Sequence, residues 1–201
     1  MQPNPAQKRL EGILPGMFNR FFRSRRNANR LIAEAAYDQI VAAARQPALY
    51  ARWQVPDTPL GRYEMLALHL FLLMHRLRGE GGAADALGQE LADTFFGDVD
   101  HSLRELGIGD MGIPKRMKKL ARMFYGRAAS YGEAIDAGDR PALAAALKRN
   151  VAPQMDEWRE AGNLADYAFL AKQGLEEQQL ADLLAGRITF PTAFDDGEAS
   201  K

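Results

Sequence analysis

Three observations on this 201-residue sequence predict an all-α fold. Apolar residues recur at i, i+3, i+4 and i+7 in successive segments between Asn27 and Ala185. Proline and glycine clusters fall between those segments and not within strand-like alternations. The connections so defined are short, as in helical bundles. The reading is a single helical domain over 27–190, with a mobile basic arm at 1–26 and a disordered acidic tail at 191–201.

Pro3, Pro5, Pro15 and Gly16 break any long helix in the arm, leaving room for a short amphipathic piece at Phe18, Phe21 and Phe22. The first firm helix opens near Asn27 or Asn29, shows Ile32, Ala36, Tyr37, Ile40, Val41 and Ala44 on one face, and stops before Pro47. A loop carrying Pro56 and Pro59 leads to a second helix at about 60–78, apolar nearly all round, and Gly79, Gly81 and Gly82 turn the chain. A third helix, about 83–96, presents Leu87, Leu91 and Phe95. Asp98 or Asp100 is placed to cap a short helix holding Leu103 and Leu106.

A basic helix from Pro114 follows, then one around Ala128–Ala137. The next, Leu143 to Lys148, has Asp139 as cap and Pro141 in its first turn. Helices near 154–173 and 175–185 close the domain, the last ended by Gly186. Ile188-Thr189-Phe190-Pro191 reads as extended.

Hydrophobic content of 47% and charged content of 26% fit an ordinary globular protein of one core. The formal net charge is zero but unevenly spread. Lys8, Arg9, Arg20, Arg23, Arg25, Arg26 and Arg30 face only Glu11 in the first thirty residues, and acids outnumber bases beyond Asn150. That pattern suits polar partners or internal docking, not wrapping by DNA. The absence of cysteine excludes disulfides, thiolate metal sites and cysteine nucleophiles, and fits a reducing compartment. No signal peptide is expected, because the first thirty residues lack a sustained apolar run. Met65–Met74 is about half the ~20 residues a membrane span needs. It contains His69, is flanked by Arg62, Glu64, Arg76 and Arg78, and reads as a buried helix.

The stretch 102–127 carries most of the information. Arg104-Glu105-Leu106-Gly107-Ile108-Gly109-Asp110 leads into Ile113-Pro114-Lys115-Arg116-Met117-Lys118-Lys119. Met117, Leu120, Ala121 and Phe124 form an apolar stripe, and Lys115, Lys118, Lys119 and Arg122 repeat its spacing on the other side. Arg116 and Arg127 extend the basic face, with no acid between Lys115 and Arg127. Lysines in the first turn oppose the helix dipole, a local cost that an anionic partner would relieve. A solvated outer face is the plain alternative.

Other constellations read as structural. Gly107-Ile108-Gly109-Asp110-Met111-Gly112 spells the dinucleotide fingerprint but lacks the preceding strand and the βαβ unit, so a turn between helices is expected. His69 and His75, six apart, lie on different faces of one helix and predict no metal site. Asp93, Asp98 and Asp100 lack the glycine and terminal glutamate of an EF-hand and read as caps. Arg104 can pair with Asp110, and Glu105 with basic neighbours. Of the aromatics Phe95, Phe96, Phe124, Tyr125 and Tyr131, the two tyrosines best suit a surface contact. Nothing points to catalysis, a metal or a cofactor.

The order of this stretch, with Phe124-Tyr125-Gly126-Arg127 and Tyr131 following it, resembles the ubiquinol–cytochrome c chaperone family. The resemblance spans about 31–185, includes Asp57-Thr58, Gly61-Arg62-Tyr63 and the helix around His69, and is sharpest over 95–131. It implies a non-enzymatic chaperone that binds newly made cytochrome b during biogenesis of the bc1 complex. Relatives in mitochondria act with a small partner protein and at ribosomes. The client is a hydrophobic membrane protein with basic cytoplasmic loops. A chaperone for it needs an apolar groove and, near a bilayer, basic residues for anionic lipid. Lys115, Arg116, Lys118, Lys119 and Arg122 are assigned to lipid, client or ribosomal RNA. Arg104, Glu105, Asp110, Tyr125, Arg127 and Tyr131 complete the expected partner-binding set, and Gly126 matches the same motif. The expected location is cytoplasmic or peripheral at the inner membrane. The competing readings are a membrane- or RNA-binding module without chaperone activity, and a small-molecule enzyme, which would need a deep pocket with convergent polar groups.

Overall fold

A computed structural model describes residues 29–193, and all of its regular structure is helical. The expectations for the basic arm and for the tail beyond Ala193 lie outside the described residues. Helix α1 covers 29–44. It is followed by α2 (Pro47–Ala51), α3 (Pro59–Leu77), α4 (Gly82–Glu105), α5 (Ile113–Asp136), α6 (Arg140–Val151), α7 (Ala161–Glu177) and α8 (Leu180–Leu183).

The organising element is α3. Its apolar residues run nearly all round the helix, which is the pattern of a fully surrounded element. It packs against α4, α5, α6 and α7, and the core is one continuous cluster about it. Thr58 caps α3 by accepting a hydrogen bond from the Gly61 amide at 3.1 Å, and Pro59 occupies the first turn. Gly61 is required there for space: a Cβ would lie 1.9 Å from the Pro56 carbonyl oxygen.

Two pairs of expected helices are single helices. Leu87, Leu91, Phe95 and Val99, all buried, keep one stripe running through Gly97, so α4 continues to Glu105. Asp98 and Asp100 are therefore not caps. Asp98 accepts from the Tyr37 hydroxyl at 2.9 Å, tying α1 to α4, and Asp100 accepts from Arg104 at 2.8 Å. Asp93 likewise accepts from Gln89 within the helix. In α5 the stripe Met117, Leu120, Phe124, Tyr131 and Ile135 carries the helix past Gly126. Continuous burial outweighs an isolated glycine, whose cost in a helix is only about 1 kcal/mol.

The short α2, with Pro47 in its first turn, has no counterpart among the expected helices. The seventh helix starts at Ala161 and not near 154. The preceding loop turns Trp158 inward, where its indole donates to the Trp53 carbonyl at 2.8 Å. Asp139 caps α6 as expected, accepting from the Ala142 amide at 2.8 Å.

Residues 191 and 193 contact the end of α1. The Gln46 side chain donates to the Pro191 carbonyl at 3.0 Å and accepts from the Ala193 amide at 2.6 Å. The same side-chain amide reaches the Tyr167 hydroxyl at 3.3 Å, which bonds to His69 Nε2 at 2.8 Å, while His69 Nδ1 bonds to the Met65 carbonyl at 2.7 Å. Since the Met65 carbonyl accepts, Nδ1 carries the proton and Nε2 accepts from tyrosine. Burial lowers the His69 pKa to about 4, against the opposing effect of that carbonyl. It is a neutral core histidine, as its apolar setting predicts.

Candidate functional site: a basic helix face beside an apolar cleft

Four of the basic residues of α5 share one arc. At 100° per residue, Lys115, Lys118, Lys119 and Arg122 fall within about 100° of each other, opposite the buried Phe124. All four are exposed, as is Arg116. Among the described residues none of the five has a carboxylate partner. Gly112 precedes this helix in a turn closed by its amide on the Gly109 carbonyl at 2.8 Å. A Cβ at Gly112 would meet Arg116 Nη1 at 3.1 Å and Ile108 Cγ2 at 3.3 Å, so both side chains fold over the turn. Met111, at its apex, is 99% exposed. The glycine segment links two helices, as its context predicted.

The other expected contact residues divide. Arg104 bonds Asp100 and Asp110, holding the end of α4 to the turn, and Glu105 meets His101 at 3.2 Å. Tyr125 is exposed, its ring against Phe96 and Phe124. Tyr131 is not a surface residue: it is buried, edge-on to Phe71, with its hydroxyl accepting from Asn150 at 3.1 Å. Burial raises its pKa. Arg127 does not join the basic face either. Its guanidinium turns inward and donates to Glu64 at 2.6 Å, the Glu64 side chain being 1% exposed. Burial raises the Glu64 carboxyl to about 7, with Arg127 pulling the other way. Among the described residues, Glu64 Oε2 and Arg127 Nε have no hydrogen-bond partner. Glu64 is thus a core residue, not the solvated flank of an apolar run.

Beside the basic helix lies a cleft of about 640 Å³ that no local sequence pattern announced. Val41 and Ala44 of α1, Arg45 just after it and Tyr50 of α2 form one wall, and Val99, Leu103 and Leu106 at the end of α4 the other. Leu60, Tyr63 and Leu66 of α3 and Leu120 of α5 complete it. The tyrosine hydroxyls are consumed internally: Tyr63 donates to the Leu120 carbonyl and Tyr50 to the Ala44 carbonyl, each at 2.8 Å. Both rings therefore present carbon to the opening. Leu60 and Leu106 remain 45% and 58% exposed at its mouth. Asp57 and Arg62, paired at 2.6 Å, and Glu105 supply a polar rim. The Asp57-Thr58 and Gly61-Arg62-Tyr63 segments, whose role sequence alone left open, build this wall. Leu60 and Leu106 were the available signal, being large apolar residues beside turn segments.

Among the described residues no helix is long and apolar enough to cross a membrane, and no three His, Asp or Glu side chains converge as metal ligands would.

The profile of the family described as Ubiquinol-cytochrome C chaperone matches residues 51–190. Ubiquinol-cytochrome-c reductase complex assembly factor 1 of Xenopus laevis is 28% identical over 136 residues, 67% of this chain and 68% of that protein. The proteins of that name from Mus musculus and Homo sapiens are 27% and 23% identical, over 67% and 70% of this chain. The match spans about half the length of those two relatives, 46% and 48%. Among solved structures, the Cbp3 homolog from Brucella abortus superposes with a TM-score of 0.80 at 56% identity, covering 88% of this chain and 97% of the other.

Proposed function

Because this chain belongs to the ubiquinol-cytochrome C chaperone family, we propose that it is a non-enzymatic assembly factor of the bc1 complex that shelters newly made cytochrome b in the α1–α5 cleft. The cleft is the observation that carries this reading. Its volume lies within the ~300–1,000 Å³ typical of small binding sites, enough for a short apolar segment and too small for a whole membrane span. Covering apolar area there would stabilise the complex by about 25 cal/mol for each Å² withdrawn from water. The hydroxyls of Tyr50, Tyr63 and Thr58, the Asp98 carboxylate and the Asp57–Arg62 pair are all engaged within the protein, which favours a sheltering role over catalysis.

The competing module reading, in which the basic helix acts without chaperone activity, is separated by one experiment. A deletion strain is complemented with the parent or with Leu60→Asp, and the reduced b- and c1-haem absorbances of its membranes are compared. Leu60 is partly exposed, so the substitution should leave the domain folded while charging the mouth of the cleft. Loss of the bc1 signal with Leu60→Asp, to the level of the deletion, is expected. Full complementation by a stably accumulated Leu60→Asp protein would remove the cleft from the mechanism.

A further inference from the structure

We infer that the α4–α5 turn and the outer face of α5 form a docking surface for an anionic lipid bilayer, with Met111 entering the headgroup layer. The inference rests on the chaperone reading in one respect, that a client emerging from a membrane would meet the cleft at its surface.

The charge on this face is unspent. Arg62, Arg104, Arg140 and Arg187 each hold a carboxylate, whereas Lys115, Arg116, Lys118, Lys119 and Arg122 hold none among the described residues. The next acid along α5 is Glu133, three turns beyond Arg122. Two of the cations stand in the first turn, at the positive end of the helix dipole, and that turn contains no acid. An anionic surface removes this repulsion, and each cation near it strengthens binding roughly fivefold.

An apolar apex stands beside that charge. Met111 is almost wholly exposed, while Arg116 and Ile108 pack over Gly112 behind it, so the thioether is presented by a closed turn. Leu106, at the mouth of the cleft, is exposed at the other end of the same turn. An exposed apolar tip next to a helix face of exposed lysine and arginine is the composition of interfacial membrane contacts. A nucleic acid would use the five cations but gain little from a methionine at the apex, which favours lipid over RNA. With Leu106 shared between turn and cleft, a bilayer on this face lies against the cleft opening.

The test is flotation of the full chain with phosphatidylcholine vesicles, with and without phosphatidylglycerol. A Met111→Trp variant adds fluorescence as a direct reading of insertion, since the native indoles of Trp53 and Trp158 are already buried. Expected are binding to the anionic vesicles only, release by raised salt, and a blue shift in the emission of the Met111→Trp protein on binding. The fourfold variant K115E/K118E/K119E/R122E should lose at least ~100-fold in partitioning with an unchanged melting temperature. Because that variant keeps the basic residues 1–28, its binding like the parent would show that the contact lies elsewhere and overturn the inference. So would binding of Met111→Trp without a shift in its emission, or parent protein that ignores vesicles but binds structured RNA through the same four residues. Leu60→Asp separates the two readings. If it still floats but fails in bc1 assembly, both stand. If the parent does not float while Leu60→Asp still abolishes assembly, only the docking surface falls.

Discussion

Replacing Arg127 by methionine removes the one partner, among the described residues, of a carboxylate that is almost wholly enclosed. The Glu64 side chain is 1% exposed, that of Arg127 12%, and the contact between them is 2.6 Å. Deleting one member of such a pair leaves an uncompensated charge in the core, which typically costs about 3–5 kcal/mol. Methionine fills the volume of the arginine stem, so little of that loss is cavity. In a protein of this size 1 kcal/mol moves the melting temperature by about 2–4 °C, so Arg127→Met should melt some ~6–20 °C below the parent.

The pH dependence carries a sign. Glu64 has its folded pKa raised from 4.5 to about 7. The native state therefore holds the extra proton between those values, and its contribution to stability declines as pH rises through them. Without Arg127 the carboxyl titrates higher still, so the variant's deficit should be largest at about pH 8 and shrink at about pH 5.5. Urea unfolding at both pH values measures it, and Glu64→Gln in the Arg127→Met background should restore most of the loss. A deficit under about 1 kcal/mol at the higher pH, or no rescue by glutamine, would refute the account of this pair as a strut that fixes α5 on α3. The functional consequence is rotational: this contact sets which face of α5 looks outward.

Three further outcomes are expected. His69, with a folded pKa lowered from 6.5 to about 4, resists protonation in the native state, so stability should fall as pH drops through that window. The fall is on the order of 3 kcal/mol at about 1.36 kcal/mol per pH unit. It is best seen in Glu64→Gln, which lacks the opposing Glu64 contribution, and an imidazole titrating near its ordinary value by NMR would contradict it. Gly61→Ala should cost at least ~2 kcal/mol in denaturant melts, because its methyl group collides with the Pro56 carbonyl. Gly88→Ala, where nothing lies within 4 Å, should instead gain about 0.4–1 kcal/mol.

The elements legible in sequence were those whose signals are local. The boundaries of α3 follow from Pro59 and Gly79, and the start of α6 from Asp139 and Pro141, because capping and proline geometry act within one turn. The junctions inside α4 and α5 misled because Gly97 and Gly126 look like breakers until the stripes running past them are buried. The outward set of basic residues on α5 was legible as a period. Arg127 and Tyr131 lie toward the Phe124 side at that period, but the break expected near Gly126 concealed their phase; in the continuous helix they meet Glu64, 63 residues away, and Phe71. The cleft is less legible still, being bounded by five helices that meet only in the fold.

The Gln46 clip has a consequence for the order in which the molecule can be completed. Its partners lie 121 to 147 residues further along the chain. During synthesis, α1 therefore waits with that amide unmatched until Ala193 has left the ribosome. Contacts of such separation close late, because the chain entropy they remove is offset only once the intervening helices are packed. The α3–α7 assembly has what it needs earlier. The segment reaching Ala193 lies across Gln46 at the end of α1, and α1 also supplies a wall of the cleft. One wall of the cleft thus belongs to an element whose end is held by residues more than 120 positions further along the chain.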